Sequence, residues 1–184
     1  MTEAVAADWT ESVVYRDLVA RPELRALIDA AAARHKPGMS AADFLGGADQ
    51  LLKLAGGGVP LKLIAEVAAP LYAQMGVKTG KTVTRRLALP PGRAIVAALT
   101  ALASRGQTLK AARQGEDGVV LEAVLPSDAF AFEGSLIVAL GRDGSGTMIE
   151  AATRVPGQMF DWGKSGRTLN ALFDDIDGLA TLQP

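Results

Sequence analysis

The chain has 184 residues, and its 19 Lys and Arg residues are nearly balanced by 20 Asp and Glu residues, for a formal net charge of -1. It therefore lacks the basic excess of typical nucleic-acid-binding proteins, and we expect no nucleic-acid partner. There is no cysteine, which excludes disulfides and thiolate metal sites. Hydrophobic residues make up 49% of the chain but aromatic residues only 5%, so the core is expected to consist mainly of Ala, Leu and Val.

The first part of the chain is predicted to be helical. Thr10 is interpreted as the cap of a helix that runs to about Ala20, and Pro22 suits the first turn of the next helix. Apolar residues recur at helical spacing along this second helix, namely at Leu24, Leu27, Ile28 and Ala31. We expect this stripe to be buried, because amphipathic helices pack their apolar side against other elements.

A capping-box pattern marks the start of a third predicted helix. Ser40 and Asp43 have the required spacing, although Asp is a weaker partner at the third position than Glu or Gln. A fourth helix is expected to begin at Pro60, and a glycine-containing break follows it. We therefore predict a helical N-terminal region over residues 1–78 and a second domain over residues 79–184.

The second region alternates between strand and helix signals. A strand is predicted over residues 82–89, and Pro90-Pro91 starts a helix. Four further strands are predicted, over residues 108–113, 119–125, 129–140 and 147–155. The last two are separated by the glycine-rich break Gly141 to Gly146, which is typical of a hairpin. Gly115 to Gly118 is interpreted as the turn of another hairpin, between the strands 108–113 and 119–125.

An amphipathic helix closes the chain. Ser165 is interpreted as its N-cap. Its apolar stripe consists of Leu169, Leu172, Phe173, Ile176 and Leu179. The preceding sheet is the expected cover for this stripe. Asp174, Asp175 and Asp177 lie where the helix dipole disfavours negative charge, so we expect packing to hold this end in place.

The element order β-α-β-β-β-β-α resembles the helix-grip arrangement of the START/Bet v 1-like (SRPBCC) superfamily, in a short, TBP-like version over residues 82–179. The resemblance rests on this order, on Phe130-Ala131-Phe132-Glu133-Gly134 leading a long strand, and on Gly146-Thr147 restarting the next. The superfamily usually has more strands and a second small helix. The resemblance implies an α+β fold whose antiparallel sheet grips the C-terminal helix, with an apolar cavity between them for hydrophobic ligands.

Two functions from different classes follow. The first is non-enzymatic binding of a small hydrophobic, lipid-like ligand between sheet and C-terminal helix. Its candidate binding residues are Phe130, Phe132, Trp162, Leu169 and Phe173. The alternative is a protein–protein interaction or scaffold module that uses the apolar N-terminal helices, which could also form a homo-oligomer.

Motifs for catalysis are weak. The segment from Gly157 to Ser165 ends in Gly-Lys-Ser, but a phosphate-binding loop needs four residues between its glycines and this segment has five. Phe160 and Trp162 are also too bulky for a close backbone approach to phosphate. His35 is the single histidine and has no nucleophile motif or carboxylate cluster to accompany it. We assign no catalytic residue, metal ligand or cofactor, and we expect no enzymatic activity.

The sequence also predicts where the protein is located. The weakly charged stretch 51–77 contains three charged residues, three consecutive glycines and two prolines, so we expect no stable membrane insertion. The N-terminus lacks the layout of a signal peptide, which predicts a soluble, cytoplasmic protein.

The alternation of side chains along strands predicts which residues share a face. In the strand 129–140, one face carries apolar residues or glycine, namely Phe130, Phe132, Gly134, Leu136, Val138 and Leu140. Arg85 and Arg86 lie on opposite faces of their strand. Glu150 and Arg154 share a face: an outward face, which we favour, makes them a surface pair, and an inward face makes them a buried pair or polar ligand contacts.

Overall fold

The fold is α+β, as the element order predicts. The computed structural model describes residues 8–36, 38–46, 81–127, 133–155 and 163–181. The elements in chain order are a single 3-10 turn at Trp9–Glu11, α1 (Tyr15–Ala20), α2 (Pro22–His35), α3 (Ala41–Leu45), β1 (Thr82–Leu87), α4 (Pro91–Ser104), β2 (Leu109–Gln114), β3 (Gly118–Leu125), β4 (Gly134–Asp143), β5 (Gly146–Arg154) and α5 (Lys164–Thr181). The fourth predicted helix and the predicted boundary after residue 78 lie outside the described residues.

The five strands form one antiparallel sheet in the order β1-β5-β4-β3-β2. Four consecutive strands pair as neighbours, and β1 joins the edge beside β5. One cross-strand row shows the register and consists of Arg85, Ile149, Leu140, Val119 and Gln114. The predicted antiparallel sheet with a C-terminal helix is thereby confirmed.

The inner face of the sheet forms one side of the hydrophobic core. Leu136, Val138 and Leu140 of β4 are at most 1% exposed, which confirms the alternation predicted for this strand. Ile149 and Ala151 of β5 are also fully buried on this face. The opposite side of β5 carries Met148, Glu150 and Arg154, which are partly or largely exposed, as the alternation predicts.

Helix α4 is the centre of the helical layer and is buried almost all round. It packs on the inner face of the sheet, between α2 and α5. The 3-10 turn covers its start so closely that a Cβ atom at Gly92 would overlap the carbonyl oxygen of Trp9. Alanines such as Ala94, Ala98 and Ala101 are 0% exposed. Their small side chains permit the close approach of neighbours on several sides.

The N-terminal helices belong to the same core as the sheet. Leu24, Ile28 and Ala31 of α2 are at most 2% exposed and pack in the layer with α4. The prediction that Leu27 joins this stripe is wrong, because its side chain is 52% exposed. At about 100° per residue, Leu27 lies on the flank of the arc that the other three share, beyond the contact with α4.

Two predicted helix caps are wrong and one is confirmed. Asp8, not Thr10, caps the first turn, because its carboxylate accepts hydrogen bonds from the N–H and Oγ1 of Thr10 at 3.0 and 2.7 Å. Helix α5 begins before Ser165, at Lys164. Ser40 and Asp43 do form the predicted capping box, with reciprocal bonds of 3.1 and 2.9 Å between their side chains and backbone N–H groups.

The hairpin between β4 and β5 is tighter than predicted. Asp143 still pairs with Gly146, so the break is only Gly144 and Ser145 rather than the whole stretch from Gly141. Gly144 has a φ of +59°, a conformation that glycine adopts without strain. In the described part of the chain, no helix combines the length and apolar character needed to cross a membrane.

Candidate functional site between the sheet and the last helix

Helix α5 lies over the β1–β5 half of the sheet and runs in the direction of β1. Four residues of its stripe, Leu169, Leu172, Phe173 and Ile176, are each 0% exposed. Leu179 is partly buried against the same cluster. The stripe predicted from the helical spacing is therefore confirmed, and the helix packs where the helix-grip interpretation places it.

The inner face of β5, which α5 covers, is apolar except for two threonine hydroxyl groups. Ile149 and Ala151 lie on this inner face with Thr147 and Thr153, and all four are at most 1% exposed. The hydroxyl of Thr147 donates to the carbonyl of Leu89 at 2.7 Å. The hydroxyl of Thr153 forms no hydrogen bond with any described residue. On the inner face of β5, the hydroxyl of Thr153 is thus a buried polar atom that no described residue satisfies.

Two arginines hold the C-terminal half of α5. The guanidinium of Arg85 lies 4.5 Å from the ring centroid of Phe173 and 3.3 Å from the carboxylate of Asp177. Arg105, at the end of α4, donates to the carboxylate of Asp175 at 2.6 Å and to the carbonyl of Ala171 at 2.8 Å. These cations offset the unfavourable position of the aspartates near the negative end of the helix dipole.

The first turn of α5 is surrounded by positive charge, unlike the C-terminal half of the helix, which carries the aspartates. It contains no acidic residue. Lys81 lies beside it, since a Cβ atom at Gly166 would be 3.4 Å from Nζ of Lys81. The carbonyl of Lys81 accepts a 3.2 Å hydrogen bond from the N–H of Thr153. The exposed ammonium of Lys81 therefore lies beside the positive end of α5, and the backbone of Lys81 is bonded to the strand residue that carries the buried hydroxyl.

The structure brings together part of the predicted site. Leu169 and Phe173 lie on the same buried stripe, whereas Phe130, Phe132 and Trp162 lie outside the described residues. Arg85, Lys81 and Thr153 were not predicted as site residues. The alternation of side chains along each strand places Arg85 and Thr153 on the inner face of the sheet, so the sequence contained enough information to identify these two.

The described ranges contain no candidate metal site. No group of three or more His, Asp and Glu residues there has the spacing to hold a metal ion. His35 packs against Gly106, which has a φ of +64°, and a Cβ atom at that glycine would overlap the imidazole ring. The ring therefore helps to join the end of α2 to the end of α4.

Comparisons with known proteins add little to this geometry. No protein-family model matches the sequence, and no curated protein matches it either. Among solved structures, the chain is similar to the crystal structure of Ara h 8.0201, with 11% sequence identity and a TM-score of 0.34. The match covers 56% of this chain and 98% of that chain. At these values the similarity carries no argument about function, and the α+β fold rests on the strand order and helix packing described above.

Proposed function

We propose that the chain binds a small hydrophobic ligand, without catalysing a reaction, between the sheet and α5. The proposed binding residues are Phe130, Phe132, Trp162, Leu169 and Phe173. The observation that carries the proposal is the buried hydroxyl of Thr153, which forms no hydrogen bond with a described residue and lies on the same face of β5 as the buried side chains of Ile149 and Ala151. A buried hydroxyl without a hydrogen bond costs about 1–3 kcal/mol, and a polar atom on a ligand would remove that cost.

The surrounding surface has the chemistry expected for such a site. Binding sites for small molecules are mostly apolar, with a few polar groups that orient the ligand. Here Leu169 and Phe173 supply apolar surface from α5, and Ala151 supplies it from the sheet. Because Arg85 and Arg105 fix the C-terminal half of α5, we expect a ligand to enter near the first turn.

The interaction-module alternative gains no specific support from residues 8–46. Most of the apolar residues of α1 to α3 are buried in the shared core. The large apolar side chains that remain exposed in this part are Val14 and Leu27, at 39% and 52%. A homo-oligomer through these helices stays a separate proposal, which the subunit count in native mass spectrometry tests.

Native mass spectrometry of freshly purified protein, combined with titration of the neutral apolar dye Nile red, tests ligand binding. We expect a co-purified small molecule or saturable one-to-one dye binding, with a rise in melting temperature because the ligand binds only the folded state. Leu169→Ala should change the dye affinity severalfold, while Met148→Ala on the outer face should leave it unchanged. Dye binding that is absent, or that depends on Met148 and not on Leu169, would contradict the proposal.

A further inference from the structure

We infer that the ligand carries an anionic head group, a carboxylate or a phosphate monoester, which binds between Lys81, the hydroxyl of Thr153 and the first turn of α5. This inference rests on the proposed function and specifies the class of ligand. It assigns the apolar tail to the interior beside Leu169 and Phe173, and the head group to the end of α5 where positive charge collects.

The first argument is the charge around the start of α5. This helix has 18 residues, so its aligned peptide dipoles give a positive N-terminal end. The first turn has no acidic residue to balance that charge. Anions bind at such helix ends through backbone N–H groups and the dipole.

The position of Lys81 strengthens this argument. Its side chain is exposed, forms no ion pair or hydrogen bond with a described residue, and lies against the first turn at Gly166. An ammonium beside the positive end of a helix is unfavourable when no anion accompanies it. Glycine at position 166 also leaves the helix surface open to this approach, because it has no side chain.

The second argument is independent of the helix end. Thr153 is 1% exposed, and none of the described residues forms a hydrogen bond with its hydroxyl. The residue lies on the inner face of β5, which α5 covers, and its N–H bonds to the carbonyl of Lys81. Thr153 therefore lies at the same end of the sheet as Lys81, whose side chain contacts the first turn of α5 at Gly166, and we place the anionic oxygen within reach of its hydroxyl.

The other charges of α5 favour the same assignment. Asp175 and Asp177 lie near the opposite end of the helix and are paired with Arg105 and Arg85. They neither neutralise Lys81 nor repel an anion at the first turn. The two ends of α5 are thus distinct, with paired aspartates at one end and, at the other, an ammonium that pairs with no described residue.

Displacement of Nile red by three ligands with the same tail tests the inference: laurate, dodecyl phosphate and dodecanol. We expect the two anions to bind about tenfold more tightly than the alcohol, as one charge-assisted hydrogen bond permits. Lys81→Ala and Thr153→Val should each remove most of this preference and leave dodecanol affinity within about twofold. Thr153→Ser, which keeps the hydroxyl, should retain the preference.

Lys36→Ala is the matched control, because Lys36 is an exposed lysine at the end of α2. It removes the same net charge and should leave the preference unchanged.

Equal affinity for laurate and dodecanol would overturn the head-group inference while the proposed function stands. Equal losses in Lys36→Ala and Lys81→Ala would overturn it in the same way. Dodecyl phosphate that binds no more tightly than inorganic phosphate would instead contradict the proposed function, because the apolar tail would then contribute nothing to binding. If none of the three ligands displaces the dye, the proposed function fails as well.

Discussion

The hydrogen bonds of Ser40 determine the acidity of Asp43. The backbone N–H and then the hydroxyl of Ser40 donate to the carboxylate, and they lower the pKa of Asp43 below 3.8. A pKa lowered in the folded state stabilises the fold above the ordinary carboxyl pKa, and this stabilisation is lost as pH falls through the folded pKa. The capping box therefore weakens in acid and is intact at neutral pH.

Ser40→Ala removes the hydroxyl donor while the backbone N–H remains. We expect the pKa of Asp43 to rise toward 3.8, as measured by NMR titration of its carboxyl carbon. Asp8 is the internal control, because the hydroxyl and N–H of Thr10 lower its pKa and the substitution leaves that residue intact. An unchanged pKa at Asp43, or an equal rise at Asp8, would show that the capping box does not cause the shift.

Arg85 shows how one residue on an edge strand can hold a helix. We expect Arg85→Ala to lower the free energy of unfolding by about 1 kcal/mol, because the cation–π contact with Phe173 and the ion pair with Asp177 are both partly exposed. The neighbouring Arg86 faces outward and pairs with Asp143 at 2.8 Å, with its side chain 62% exposed. Arg86→Ala should therefore cost less than about 0.5 kcal/mol in urea unfolding. Equal losses would contradict the assignment of faces.

At the scale of elements, helix α2 offers a matched pair of leucines. Leu24 is 2% exposed and Leu27 is 52% exposed. We expect Leu24→Ala to lower the free energy of unfolding by about 2–5 kcal/mol, because it leaves a cavity. Leu27→Ala should stay within about 0.5 kcal/mol. Urea unfolding measures both, and a larger loss at Leu27 would indicate that this side of α2 is covered, as in an oligomer.

The element scale also shows what periodicity can predict. The α5 stripe and the β4 alternation are correct because each depends on one element facing one neighbour. The burial of α4 on nearly every side is missed, because it depends on α2 and α5 flanking the helix. The error at Thr10 is local: Asp8 is two residues upstream, and a carboxylate accepts both donors of Thr10.

At the scale of the whole molecule, the sequence predicts the sheet but not how distant segments meet. The pairing of β1 with β5 places Lys81 beside Thr153 and Arg85 opposite Ile149. No local sequence pattern predicts which residues of β1 pair with which residues of β5. The sequence therefore predicts Leu169 and Phe173 from helix periodicity but leaves out Lys81, Arg85 and Thr153, whose roles arise from this pairing.

The central claim is that α5 lies across the inner face of the sheet beside β1 and β5. Nuclear Overhauser effects on labelled protein test it most directly. We predict contacts between the Phe173 ring and the side chain of Arg85, together with cross-strand contacts between Arg85 and Ile149. A spectrum in which α5 is helical and β1 pairs with β5, but Phe173 shows no contact with Arg85, would contradict the claim.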